Sequence, residues 1–337
     1  MSNNLSRRSF LGTSAALAAG LILPSSYHSL AGLHAQNPHS SRVSSSDFGG
    51  VQIGAITYSW RSMPGGLENI IKYCRACGIS SIELMSGDLE AYMGAPANPR
   101  MGFPRSAGGG RPQLTEEQQA AVAKYPEDLK KWRLSLDMSK VAAAKKLLDD
   151  AGIKAHIVKF SPARWSDEET DYAFKVAKAM GAKGVTEEVG EAAVKRLAPF
   201  AEKHGMYAIF HNHMQFAEPG FDYDKLLAVS PAVRMNFDAG HYFGSTGRHP
   251  NEIIEKYHDR IVSIHIKDKT GPDVPEVPNT NQVWGQGQMP LSDVLLLIKK
   301  EKWPIYCDIE LEYEIKPWSD AVKEVANCVH FARQILI

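Results

Sequence analysis

Asn236, Phe237, Asp238, Ala239, Gly240 and His241 close an apolar run that begins at Val233, so a buried strand delivers a carboxylate and an imidazole to its own carboxyl end. The ending recurs along the chain. Residues 208–210 run into His211, Asn212 and His213, residues 261–264 into His265, Lys267 and Asp268, and residues 305–309 into Glu310 and Glu312. Two carboxylates with imidazole, gathered from neighbouring strand ends, suit one divalent cation, with Mn²⁺ the first choice and Co²⁺, Zn²⁺ or Mg²⁺ as alternatives. Asp238, His265 and Glu310 supply three ligands. Glu188, ending an earlier run, is the first choice for the fourth, and His211 is the alternative; so short a run does not decide between Glu188 and its neighbour Glu187. With Glu188 on the ion, His211 and His213 serve as general base and substrate donor; with His211 on the ion, Glu188 becomes the base. Such a centre polarises a ketone oxygen and makes the neighbouring C–H proton removable. Reprotonation elsewhere gives isomerisation or epimerisation, whereas loss of a group β to the ketone gives elimination.

A second set of residues is suited to holding a polar substrate. His241 follows Asp238 closely, Lys267 and Glu312 lie just beyond His265 and Glu310, and Lys159 ends the third run. Tyr58 and Trp60, at the end of the first run, fit either stacking on a sugar ring or the rim of a core. Each has a blander reading: Asp238 as a helix cap, His265 as a hydrogen-bonded core histidine, Lys267 as half of an ion pair, Lys159 as a surface charge. The shared position of Asp238 and His241 at a strand end favours a ligand over a cap. Gly285, Gln286 and Gly287 allow close backbone approach to a ligand, or simply make a tight turn.

These residues need a frame that brings strand ends together. Strand-like runs at 51–57, 80–84, 153–160, 184–188, 207–211, 233–238, 261–266 and 305–310 alternate with helical patterns at 67–77, 139–151, 168–180, 192–204, 223–228, 251–258, 291–300 and 320–336. Gly78, Gly152, Gly181 and Gly205 stop helices just before the next strand. Eight strand–helix units predict an α/β fold, a (β/α)8 TIM barrel over residues 50–337, with functional groups at the carboxyl ends of its strands. A long insertion after the second strand, about residues 87–137, carries Gly94 to Pro99, a run of Gly108, Gly109 and Gly110, and a helical stretch over 115–132. Leaving from the face that carries the polar strand ends, it is expected to form a wall or lid.

The order Asp238, Ala239, Gly240, His241, then His265, Ile266, Lys267, Asp268, then Gly285, Gln286, Gly287, then Glu310 resembles the xylose isomerase-like barrel superfamily, the group of sugar isomerases and epimerases, inosose dehydratase and endonuclease IV. The resemblance spans nearly the whole mature chain. In relatives of tagatose epimerase the ion is held by Glu, Asp, His and Glu; Asp238, His265 and Glu310 match three of these, and His211 stands where those relatives carry a Glu. His211, Asn212 and His213, with Gly94 to Pro99, Trp132 and Arg133, resemble instead the inosose dehydratase and 3-keto-glycoside lyase branch. That implies a metal-dependent lyase: for a glycoside oxidised at C3, abstraction at C2 expels the aglycone from C1.

Ser6, Arg7, Arg8, Ser9, Phe10 and Leu11 precede an apolar run to Leu23 and resemble a twin-arginine export signal, expected to span residues 1–35 with cleavage near Ala35 and to deliver a folded protein to the periplasm. The run is shorter than the ~18 residues of a membrane span, so no stable membrane anchor is expected. Residues 36–49 read as a flexible leader. The 38 basic and 38 acidic residues balance, and removing residues 1–35 takes away two arginines and no acids, leaving 36 against 38. That gives no support for nucleic acid as a partner and disfavours an endonuclease-like role. Cys74, Cys77, Cys307 and Cys328 lie in apolar surroundings and read as packed thiols. The expected partner is a small sugar or glycoside, with the last helix and the insertion as surfaces for a homodimer. A non-catalytic sugar-binding barrel is the competing class.

Overall fold

The computed structural model describes residues 42–102 and 114–337. The expected export signal, most of the leader and the Gly108 to Gly110 run lie outside these residues. Eight parallel strands run β1 (Val51–Ile56), β2 (Ser81–Met85), β3 (Lys154–Lys159), β4 (Gly184–Glu188), β5 (Tyr207–His211), β6 (Val233–Asp238), β7 (Ile261–Ile266) and β8 (Tyr306–Ile309). Each pairs with its sequence neighbours, and β8 pairs with β1, closing the barrel. This is the expected (β/α)8 architecture, and strand alternation makes Glu188, His211, Asp238 and His265 face one another at one mouth.

Outside the strands lie α1 (Leu67–Cys77), α2 (Ser86–Tyr92), α3 (Glu116–Leu134), α4 (Met138–Ala151), α5 (Asp167–Ala179), α6 (Glu191–His204), α7 (Tyr223–Leu227), α8 (Ala239–Thr246), α9 (Asn251–Tyr257), α10 (Leu291–Glu301) and α11 (Ala321–Leu336). Left-handed Gly78, Gly152 and Gly205 end α1, α4 and α6, as their positions predict. The apolar faces of the helices and the outward faces of the strands share one core, which includes all four cysteines as free, buried thiols. Burial raises the Cys77 thiol to about 12, so it is packing material, not a nucleophile. Trp60 also belongs to this core, 2% exposed and tilted against Tyr73. It offers no face to a substrate, which corrects the expectation of a stacking role. Tyr58 remains on the rim, under the Arg61 guanidinium.

Two short helices break the predicted alternation. The chain turns into α2 directly after β2, where a loop is expected, and α8 starts directly after β6. In the insertion, α3 begins with a capping box between Thr115 and Gln118 and is anchored at its far end by Arg133. The Arg133 guanidinium bonds Glu90 twice, at 2.8 and 3.1 Å, and Glu169 at 3.2 Å, and lies 3.6 Å over the Trp165 ring. All three ionic partners are buried. The described part of the insertion is therefore clamped to the barrel through Arg133. Arg133→Met strands two buried carboxylates and should cost about 3–5 kcal/mol, read as a lowered urea midpoint. Among the described residues no helix is long and apolar enough to cross a membrane.

Candidate metal centre

At the carboxyl mouth, ligand atoms of His211, Asp238, His265 and Glu310 all lie within 4.8 Å of one another, and all four residues are buried. The strands explain the gathering: β5 ends on His211, β6 on Asp238, His265 is the penultimate residue of β7, and Glu310 follows β8 with its N–H on the Ile266 carbonyl. His211 thus joins this cluster, and Glu188, the first choice for a fourth ligand, falls in a second group with His211 and His213. Strand parity points Glu188 inward and Glu187 away, where its carboxylate takes the Ala163 N–H. Glu188 sits behind His211, 3.2 Å from Nδ1, and also receives Lys159 Nζ at 2.7 Å.

Both histidines are held in the same manner. His211 turns Nε2 to Asp238 (3.3 Å) and Nδ1 to Glu188; His265 turns Nδ1 to Glu310 (2.9 Å) and Nε2 to Glu83 (2.7 Å). One nitrogen faces the cluster, and the other is fixed by a carboxylate outside it, the arrangement that sets tautomer and basicity in metal-bound imidazoles. Two imidazoles and two carboxylates in a buried cluster, each imidazole backed by a further acid, fit a divalent cation of the Zn²⁺ or Mn²⁺ type.

Asp238 has two roles at once. Its Oδ1 accepts the His241 N–H at 2.7 Å and caps α8, while Oδ2 faces the cluster. Asn212 holds the Asp238 backbone on both sides, accepting its N–H and donating to its carbonyl. The cap and the candidate ligand, alternatives in the sequence, are the two oxygens of one side chain.

The electrostatics are those of an acid-rich pit around few cations. Lys267 Nζ lies 2.8 Å from Asp238, 2.6 Å from Glu310 and 2.6 Å from Glu312. Burial disfavours its charge, but these carboxylates overcome that and raise it above its ordinary value. Burial also works against the His265 imidazolium, and Glu310 and Glu83 on either side raise it well above 6.5. For Glu83, burial raises the carboxyl and the charge of His265 outweighs it, leaving it at about 2. His213 stands at the mouth, 45% exposed along its side chain, 3.2 Å from Glu188. Burial and the neighbouring His211 lower it, favouring the neutral base. Its ring centroid is 4.8 Å from that of His241, whose two ring nitrogens are buried and have no hydrogen-bond partner.

Of the expected substrate contacts, His241, Lys267, Glu312 and Lys159 all border the cluster, and Trp60 does not. The Gly285 to Gly287 turn wraps a side chain of the protein itself: the N–H groups of Gly285 and Gly287 donate to Asp268 at 2.8 and 2.9 Å, and a Cβ on Gly287 would lie 2.2 Å from that carboxylate. Glu83 and Asn236 are participants that the sequence reading missed. Their signal was a polar residue inside an apolar run, Ile82, Glu83, Leu84 and Met235, Asn236, Phe237.

The model for the xylose isomerase-like TIM barrel matches residues 119–330. The chain belongs to this family. Curated relatives include inosose dehydratases from Clostridium botulinum strain Alaska E43, 35% identical over 89 residues (26% of this chain, 30% of the relative), and from Histophilus somni, 29% identical over 158 residues (39% and 52%). The chain thus spans about half or less of the length of these relatives. Among solved structures, a xylose isomerase domain protein from Alicyclobacillus acidocaldarius superposes with a TM-score of 0.56 at 13% identity, covering 84% of this chain and 99% of that one. The IolI protein with a bound zinc atom gives 0.54 at 14% identity, covering 85% and 99%. Both are likenesses of fold.

Proposed function

We propose that this member of the xylose isomerase-like family is a divalent-metal-dependent lyase that removes the proton beside the ketone of a 3-keto-glycoside and releases the aglycone by β-elimination. The observation that carries the reading is the pair of imidazoles at the mouth, His213 and His241, standing 4.8 Å apart over the buried cluster of His211, Asp238, His265 and Glu310. A cation in that cluster would supply the polarisation of the ketone oxygen. His213, held by Glu188, accepts the C2 proton; the C2–H electron pair becomes the C1–C2 double bond, and the C1–O bond breaks toward the aglycone oxygen, which takes up a proton. His241, which makes no ring hydrogen bond and approaches Glu312 through Nε2 at 3.5 Å, is placed to bond a substrate oxygen, and Lys159, Lys267 and Glu312 line the same mouth. The relatives named as dehydratases favour elimination over isomerisation, because losing water is the same step with a smaller leaving group.

The test is incubation of the Mn²⁺-loaded protein with a 3-keto-glucoside bearing a chromogenic aglycone. Release is expected, and His213→Asn should slow it by about 10²–10⁴. Solvent deuterium entering C2 without release would replace the lyase with an isomerase; neither would leave a binding protein. The same proposal puts the enzyme in the periplasm by way of Arg7 and Arg8, to be checked by cell fractionation.

A further inference from the structure

We propose that the barrel holds a second cation, a hard divalent ion bound through oxygen, on its axis one layer beneath the centre described above. Four buried oxygens there have no hydrogen-bond partner: Glu83 Oε1, Thr186 Oγ1, Asn236 Oδ1 and Asp308 Oδ1, all on residues with no exposed surface. They come one each from β2, β4, β6 and β8. Side chains from alternate strands form one layer of a TIM barrel, so these four share a layer. Thr186, Asn236 and Asp308 each precede Glu188, Asp238 and Glu310 by two residues, which along a strand is a step of about 6.6 Å. Glu83 reaches Asn236 Nδ2 across the barrel at 2.8 Å, and ligand atoms of Glu83, Asp308 and His265 lie within 4.8 Å of one another.

In Glu83, Asn236 and Asp308 the other polar atom of the side chain is already fixed, while Thr186 offers its single hydroxyl. Glu83 Oε2 takes His265 Nε2 and Asn236 Nδ2. Asp308 Oδ2 takes His156 Nε2 at 2.8 Å and the Ser263 hydroxyl. Asn236 spends its amide NH₂ on Glu83, leaving its carbonyl free. Glu83, Asn236 and Asp308 are thereby locked with an acceptor bare on each, and two of the four acceptors in the ring are carboxylates. An unsatisfied buried acceptor costs about 1–3 kcal/mol, more when charged. One water can donate to two of them, whereas a dication within reach of the ring would serve all four oxygens, both carboxylates among them. The strand register also breaks between Ile82 and Glu83 and between Met235 and Asn236, the kind of irregularity that re-aims a side chain toward a site.

Lying a layer deeper in the barrel than the upper centre, the lower ion should leave last. Crystals of the full protein grown with Mn²⁺ and measured at the manganese edge should show two anomalous peaks, the second between Glu83 and Asp308, and a chelator should strip the protein in two phases. Thr186→Val keeps the shape and removes one donor; it should weaken the second ion at least tenfold and leave the first unchanged. Asp238→Asn should remove the upper peak and keep the lower, so the failure of one centre is distinguishable from failure of the other. A single peak with an ordered water only in the ring, or a Thr186→Val protein with unaltered metal stoichiometry and affinity, overturns the proposal.

Discussion

Asp238→Asn is expected to lower kcat/KM by on the order of 10³ or more while leaving the barrel folded. An asparagine carbonyl can still accept the His241 N–H that caps α8, and Asn212 still grips the backbone, so local structure has what it needs. What disappears is the charge of Oδ2, the atom that meets His211 Nε2 and Lys267 Nζ. Because Asp238 is wholly buried, water does not replace that charge. The variant should purify with less than one upper-site ion by elemental analysis and resist rescue by Mn²⁺ at concentrations that saturate the native protein. Glu188→Gln, which acts through His211, should fall between: about 10–100-fold in metal affinity, with the ion recoverable by excess metal. A variant at position 238 that keeps both the ion and the activity would remove the metal-centred reading altogether.

The barrel was legible because its signals are periodic and local. Apolar runs alternating with amphipathic stretches, punctuated by Gly78, Gly152 and Gly205, carry the order of elements without any tertiary information. Asp238, His265 and Glu310 were legible for the same reason, since a barrel fixes which end of a strand faces the mouth. The fourth position was not. Glu188 and His211 end neighbouring strands in register, and only side-chain reach decides which one meets Asp238 and which stands behind. Glu83 was hidden by its strand: a carboxylate between Ile82 and Leu84 scores as an interruption of the core, and its partner His265 is 182 residues away. Trp60 failed in the opposite direction, because position near a strand end does not say whether a ring turns to the mouth or to the helices, and this one turns to Tyr73. Asp268 and its glycine turn mislead similarly, a ligand-like loop whose ligand is the chain itself.

Lys267→Met should destabilise the metal-free protein by about 3–5 kcal/mol and make its stability depend on metal far more than that of the native chain. The ammonium is the cation that Asp238, Glu310 and Glu312 share, each within 2.8 Å, in a pit from which water is almost excluded. Its aliphatic stem occupies room that only a glycine leaves, since a Cβ at Gly240 would lie 2.2 Å from Lys267 Cγ, and methionine fills most of that volume. The substitution therefore removes charge with little loss of packing. Three carboxylates then repel one another with only the neighbouring imidazoles, His265 beside Glu310 foremost, as internal counter-charge, and a bound dication at the oxygens of Asp238 and Glu310 becomes the main source of compensation. In the native chain Mn²⁺ at a hundred times its Kd should add about 2.7 kcal/mol. In the variant the intrinsic affinity rises, because the ion no longer competes with an ammonium for the same oxygens, and the added stability at equal Mn²⁺ should rise with it. Thermal melts of both proteins, with chelator and across a Mn²⁺ series, measure both terms. Equal melting in chelator would mean that Lys267 is not what lets this acid-rich mouth fold before metal arrives.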